Sequence, residues 1–415
     1  MRGLTFSIVT CLSALSFWSS ARANDGGATD TDEPEAEVQS ANPTGKAIVG
    51  DLGLSPGLSR DFALPLNNPG TVDAAHATFM KPTDLVVGVV VAGQARAYPW
   101  WVLSNYHVVN DTFELPVGGK AEHSEPGYKY PHAPTSYGAR YVPLLITYCE
   151  LCNGGSAFIP EVGKRSLVFM MTESHFSQTG GNYEAFAIYT ICDLETQSRW
   201  HPMSGLAMSG PLKGTQLTRI PAFHDHWEDW VRKHPDTKVV EGAEELRHRA
   251  HLHGRDYATW DPIRGEAPPF PGLYETLGEH PELINNKLPV ETLVLGVTST
   301  DHTKSMVYTI DRLRELGGLV QHDLNGEPYV LILSGTLSAT AYSRKLPGNP
   351  SVLLNFKVQS KAPFVMVDDS GTTWNEFGEA TSGKYQGKKL HIADAYVAKW
   401  SEYPVGKKNV EVLRN

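Results

Sequence analysis

The sequence is poor in cysteine: four in 415 residues, at positions 11, 149, 152 and 192. So few thiols exclude a disulfide-dense scaffold and leave room for one small thiol cluster at most. The chain also lacks a G-x-S-x-G elbow, a Walker loop, a Rossmann glycine fingerprint and H-E-x-x-H. It therefore carries no nucleotide or flavin signature and none of the common hydrolase signatures. No apolar run reaches the ~18 residues that a membrane-crossing helix needs. Positive charge is scarce as well: 36 Lys and Arg face 46 Asp and Glu, a formal net charge of -10. That balance argues against a nucleic-acid partner, which requires a basic face.

What is present starts with MRGLTFSIVTCLSALSFWSSARA, residues 1–23. Arg2, a short apolar run and the small-x-small end Ala21-Arg22-Ala23 read as a secretory signal peptide. The expectation is an exported protein, periplasmic or extracellular, with Cys11 removed. Residues 24–40 then hold six acids and no base, a composition that cannot bury a core. Residues 24–80 are read as an acidic disordered tail and a lead-in. Three cysteines remain, so a pair with one left over and a three-thiol cluster both stay open.

The body reads as an internal duplication. Gly205 to Leu217 (GLAMSGPLKGTQL) and Gly378 to Leu390 (GEATSGKYQGKKL) share G-x-A-x-x-G-x-x-x-G-x-x-L. Trp200 and Trp374 precede them, and WVRKHPDTKVVE from Trp230 and WSEYPVGKKNVEV from Trp400 follow. Earlier blocks correspond more loosely, LVVGVVVAGQ from Leu85 with LVLGVTSTDH from Leu293. We expect one lobe over 81–241, a connector over 242–289 and a second lobe over 290–415. β-Branched and aromatic runs bounded by Gly and Pro, such as DLVVGVVV, ARAYP, PLLITY, SLVFMM and AFAIYTI, predict strands. Pro99 at a favoured first helical position predicts a short helix over PWWVLSNYHVV, and HDHWEDWVRKH predicts another. The expected fold is α+β and β-rich, two related lobes of mixed or antiparallel sheets with short helices.

The chemistry centres on Cys149-x-x-Cys152 in ITYCELCNGG. Matching the two copies places Cys149 opposite Leu333 and Cys152 opposite Thr336, so the second copy makes its fold without either thiol. Three readings stay open. Two thiolates on a turn can ligate a soft or borderline metal, copper first and zinc otherwise. A CxxC pair can exchange disulfides, although Gly154-Gly155 works against the helix start that usually activates such a pair. A small-loop disulfide can merely stiffen a turn, as in a non-catalytic binding or scaffold protein. His107, in YHVVND, is absent from the second copy and is the third candidate ligand, with Asn110, Asp111 and Tyr148 as its supporting neighbours. His175, His201 and Cys192 are weaker candidates; Cys192 on a strand reads as a small buried apolar group. The stretches with His224 and His226, and with His248, His251 and His253, are His-rich without a diagnostic spacing.

The blocks ARAYPWWVLSNYHVVND, ITYCELCNGGSAF, DLETQSRWHPMSGLAMSGPLKGTQL and WVRKHPDTKVV, in that order, resemble the family catalogued as domain of unknown function 3179. The resemblance covers about 80–412 and implies an exported or cell-surface protein. It places the family's Tyr-Cys-x-x-Cys on Tyr148, Cys149 and Cys152, and its His and Asn-Asp on His107, Asn110 and Asp111. The chain departs from the pattern at Glu150, where proline is usual, at Cys192, where an aromatic is usual, and in MMTESHFSQTGGNY.

Overall fold

In a computed structural model, the described residues are 65–115, 140–149, 153–172 without 164, 190–248 without 244, 287–400 without 290, and short pieces within 49–63, 178–183 and 403–413. The signal-peptide stretch, the acidic tail up to residue 48, most of the connector, Cys152, His175, His251 and His253 lie outside them. Described residues belong to one unit, Gln39–Asn415.

The first half begins with β1 (Leu85–Val91) and β2 (Gln94–Pro99), an antiparallel hairpin. Six of the seven β1 residues are buried, which explains a valine run broken only by Gly88. Pro99 ends β2 and serves as N-cap of α1 (Trp100–Tyr106), every residue of which is buried. β3 (Val108–Leu115), β4 (Arg140–Cys149) and β5 (Gly154–Ile159) then form an antiparallel meander. A second meander follows in β6 (Phe169–Thr172), β7 (Thr190–Asp193), β8 (Arg199–Trp200) and β9 (Ala207–Ser209). β10 (Thr218–Ile220) returns to the edge of β5, and β11 (Phe223–His226) to the edge of β1. The helix expected over HDHWEDWVRKH starts only at Trp227: α2 is Trp227–Lys233, because the residues before it complete the sheet with β1. β12 (Lys238–Val240) extends that sheet, parallel to β2 and with Thr71–Asp73 antiparallel on its other side.

The second half repeats this order of pairings. β13 (Leu293–Thr298) and β14 (Ser305–Thr309) form a hairpin leading into α3 (Ile310–Glu315). β15 (Leu319–Leu324), β16 (Glu327–Leu333) and β17 (Ala339–Ser343) form the first meander. β18 (Phe356–Lys361), β19 (Phe364–Asp368), β20 (Thr373–Asn375) and β21 (Ala380–Ser382) form the second. β22 (Asp394–Lys399) flanks β13 as β11 flanks β1, and β23 (Val410–Val412) lies parallel to β14 as β12 does to β2.

Side chains follow the same correspondence. Trp200 Nε1 donates to Asp193 at 2.8 Å, and Trp374 Nε1 donates to Asp368 at 3.0 Å. Gly210 and Gly383 both sit at φ +88°, where a Cβ would run into the backbone of Ser198 or Thr372. That close approach, not turn flexibility alone, requires the central glycine of the shared motif. Gly88 is covered by the Trp230 ring and Gly296 by the Tyr403 ring. Trp227 donates its amide to Asp84, as Trp400 does to Thr292. Trp400 is thus matched by Trp227, three residues before the Trp230 that block comparison paired with it.

The halves share a buried core. Val86, Val87, Trp100 and Tyr148 from the first cluster with Leu295, Val297, Leu331 and Val397 from the second. Each half also lays one hairpin turn on the other's edge strand. A Cβ on Gly154 would lie 2.4 Å from the Val397 carbonyl, and Ser338 Oγ donates to the His224 carbonyl at 3.2 Å.

Candidate functional site

The turn between β4 and β5 carries the cysteine motif, and Cys149 is the last residue of β4, paired with Gly154. It is 2% exposed, within an apolar cluster that includes Val108, Phe158, Met203, Tyr396 and Trp400. Its walls come from three directions. Val397 of β22 lies against Gly154. Met203 sits on a loop tied to the strands by Thr147 Oγ1 donating to Pro202 O at 2.7 Å and Ser156 Oγ donating to Met203 O at 2.9 Å. Arg219 bonds Ser156 Oγ and the Met203 carbonyl, and pairs with Asp394 of the second half at 3.0 Å.

His107 is brought to this end of the sheet. It follows α1 in a left-handed conformation, φ +58°, and is buried. Its amide caps the helix on Leu103 O at 2.6 Å, and its carbonyl accepts from the Tyr148 amide at 2.9 Å. His107 is therefore the cross-strand neighbour of Tyr148, one residue from Cys149. Tyr148 itself packs on Trp100, ring centroids 5.2 Å apart, and Trp100 meets His224 at 5.4 Å.

Asn110 and Asp111 are not brought to the turn. They pair with Leu145 and Leu144, which lie about 13 and 16 Å from Cys149 along the strand at ~3.3 Å per residue. Their side chains are engaged elsewhere. Asn110 clamps β6 by accepting from Phe169 N at 2.9 Å and donating to Phe169 O at 2.8 Å. Asp111 accepts from Arg96 at 2.5 Å, Tyr98 Oη at 2.6 Å and Thr112 N at 2.7 Å. Burial, then the Asp111 charge, pushes the Tyr98 hydroxyl well above its usual range. His201 caps its own loop, Nδ1 accepting from Ser204 N at 3.0 Å, as Asn375 Oδ1 accepts from Phe377 N in the second half. Cys192 is buried on β7 and forms no disulfide. His226 Nδ1 sits 2.9 Å from Thr83 O. Among the described residues no three His, Cys, Asp or Glu side chains are grouped as metal ligands.

The counterpart of the cysteine turn is the β16–β17 turn. The Leu333 amide donates to Gly318 O at 2.9 Å as Tyr148 does to His107, so the residue matching Cys149 is Ser334, one beyond the Leu333 of block comparison. Ser334 N closes that turn on Ser338 O at 2.8 Å. Below it lie Asp225, Lys233 and Glu376, a buried charged cluster that sequence reading missed. "FHDHW" had drawn attention to its histidines, and nothing in the local spacing links Glu376 to it. His224, beside Asp225, has Nε2 within 3.3 Å of the Gly155 amide and 3.2 Å of its carbonyl. Burial lowers its pKa to about 4.

These features define a β-rich two-half chain with Cys149 buried between the halves. Its family follows from the match of one family model, described as protein of unknown function DUF3179, over residues 64–117 and 139–405; the chain belongs to that family. Neither a curated protein nor a solved structure matches it.

Proposed function

We propose that the chain is an exported thiol–disulfide protein whose working couple is Cys149 and Cys152, carried on one copy of a duplicated β-rich unit. The carrying observation is the counterpart turn: Ser334–Ser338 makes the same connection with no sulfur bridge, so the pair serves something other than closing the turn. The state of Cys149, disulfide-bonded rather than a thiol, supports the reading. The repeated strand pairings and the matched Trp–Asp bonds support the duplication.

The oxidised pair takes two electrons and two protons from a dithiol partner, which leaves as a disulfide. Cys149 is too buried to meet a partner thiol, so it serves as the internal sulfur and Cys152 exchanges with substrate. The test is the reduction potential after equilibration with glutathione or dithiothreitol buffers, read by alkylation and mass. A value within about -270 to -120 mV fits a working couple, and one below about -300 mV marks an inert structural bridge and sinks the proposal.

A second reading is favoured by His107, which the fold sets beside Tyr148. Reduced, Cys149, Cys152 and His107 together offer two thiolates and an imidazole to copper, or otherwise zinc. Metal analysis of the reduced protein, with Cys149→Ser/Cys152→Ser as control, decides it: no retained copper or zinc after replete loading rules it out.

A further inference from the structure

Asp225 on β11, Lys233 at the end of α2 and Glu376 after β20 meet beneath the Ser334 turn. Lys233 Nζ lies 2.9 Å from Asp225 Oδ2 and 3.5 Å from Glu376 Oε2, and donates to Ser334 O at 3.3 Å. Side-chain exposures are 0% for Asp225, 13% for Lys233 and 8% for Glu376. Aromatic rings close the surroundings. His234 packs 4.2 Å from Trp230 and 5.7 Å from Phe377, measured between ring centroids. Gly335 seals the top, since a Cβ there would fall 2.2 Å from Asp225 Oδ1. That oxygen has no hydrogen-bond partner among the described residues.

Burial works against the Lys233 charge, and the Asp225 and Glu376 carboxylates more than offset it, so the amine's pKa is raised. The two carboxylates still repel each other. Burial pushes the Glu376 carboxyl up, against the pull of Lys233, so a proton on Glu376 is the cheapest relief.

We propose that Lys233 and Asp225 are joined by an intramolecular isopeptide bond, formed autocatalytically with Glu376 as proton carrier. Lys233 first passes a proton to Asp225 Oδ2, leaving a neutral amine beside a neutral carboxylic acid. The Nζ lone pair attacks Asp225 Cγ, the carbon bonded to the Oδ2 that Nζ already touches at 2.9 Å. Glu376 donates its proton to the oxyanion of the tetrahedral adduct and takes one from the Nζ ammonium. Glu376 then protonates one hydroxyl, the C–OH bond breaks and water leaves, and the remaining hydroxyl gives its proton back to Glu376 as the amide carbonyl forms. The products are one amide, one water and an unchanged Glu376, with no oxidant or co-reactant. Two buried charges disappear, and β11 becomes covalently tied to α2.

The experiment is peptide mapping of the purified full chain. Trypsin cuts after Arg219, Arg232 and Lys238, so the bond joins Ile220–Arg232 to Lys233–Lys238 in one branched species lacking one water and uncut at Lys233. Finding that species, with fragmentation placing the link at Asp225 and Lys233, is the expected result. Quantitative recovery of unlinked Ile220–Arg232 and of His234–Lys238, the product of cleavage after an unmodified Lys233, overturns it. In Glu376→Gln the branched species should vanish while circular dichroism stays native. Its survival at wild-type yield removes Glu376 from the reaction and overturns that role. Lys233→Arg must lack the species altogether.

Discussion

The Tyr148 amide donates to the His107 carbonyl across 2.9 Å, and the Leu333 amide donates to the Gly318 carbonyl across the same distance. The first half thus puts a histidine where the second uses a glycine. Both residues sit at positive φ, +58° and +83°, a conformation that costs a β-carbon-bearing residue roughly 1 kcal/mol. His107→Gly should therefore keep or raise the stability by up to about 1 kcal/mol in urea unfolding. His107→Val should lower it, since branching worsens the left-handed strain. If His107 has a role at the cysteine turn, the glycine variant shifts the couple's potential or loses metal while its stability holds. A stability loss with His107→Gly would show that the imidazole is there for packing.

Cys149→Ser copies the residue that the second half uses. On the proposed pairing with Cys152 the bridge closes four residues and removes little freedom from the unfolded chain, about 2 kcal/mol in the chain-entropy model. We expect Cys149→Ser to fold, with an unfolding midpoint lowered by no more than that figure implies and native circular dichroism. Loss of the fold would mean that the turn depends on its sulfur bridge, against the reading from Ser334.

Much of the fold was written locally. The valine run of β1 and the glycines of the repeated motif act within a few residues and fell where the pattern put them. Pro99, by contrast, is the N-cap and not the first helical residue, and the helix expected over PWWVLSNYHVV stops at Tyr106 because Val108 and Val109 pair in β3. Edge strands were less legible, because FHDH becomes a strand only through Leu85–Gly88 far upstream. The candidate site divided along the same line. His107 belonged at the turn by order along the chain, while Asn110 and Asp111 adjoin it in sequence and are carried off by strand rise and by partners at Phe169 and Arg96. Cys149 matches Ser334 and not Leu333, because Pro143 and Pro328 stand the same distance before Tyr148 and Leu333, and the two turns differ in length only beyond that point.

Asp193 is expected to be among the costliest positions to truncate. It is fully buried and accepts from Thr196 N at 2.6 Å, Thr196 Oγ1 at 2.9 Å and Trp200 Nε1 at 2.8 Å. Asp193→Ala leaves the buried Trp200 Nε1 without its acceptor and strips the partly buried Thr196 amide of its own, a loss of about 2 kcal/mol. Asp368→Ala, its counterpart, should cost a similar amount. Chemical denaturation of both variants checks this, and near-neutral effects would mean water replaces the carboxylate.

Acid should weaken the protein through His224. Burial holds its pKa at about 4, against ~6.5 in the unfolded chain. Between those values the unfolded state binds the extra proton, so stability rises with pH across that window. The contribution is complete above about pH 6.5 and is lost progressively as pH falls to about 4, where it levels off, a span of about 3 kcal/mol for one fully buried group. His234, lowered to about 4 with burial as the largest cause, acts with the same sign; being partly exposed, it contributes less. Urea midpoints measured from pH 4 to 7 should therefore climb in the wild type, and more shallowly in His224→Gln, which keeps a polar group facing Gly155 but cannot titrate. An identical slope in the variant would mean that His224 is solvated in the folded protein and that the acid sensitivity comes from other groups.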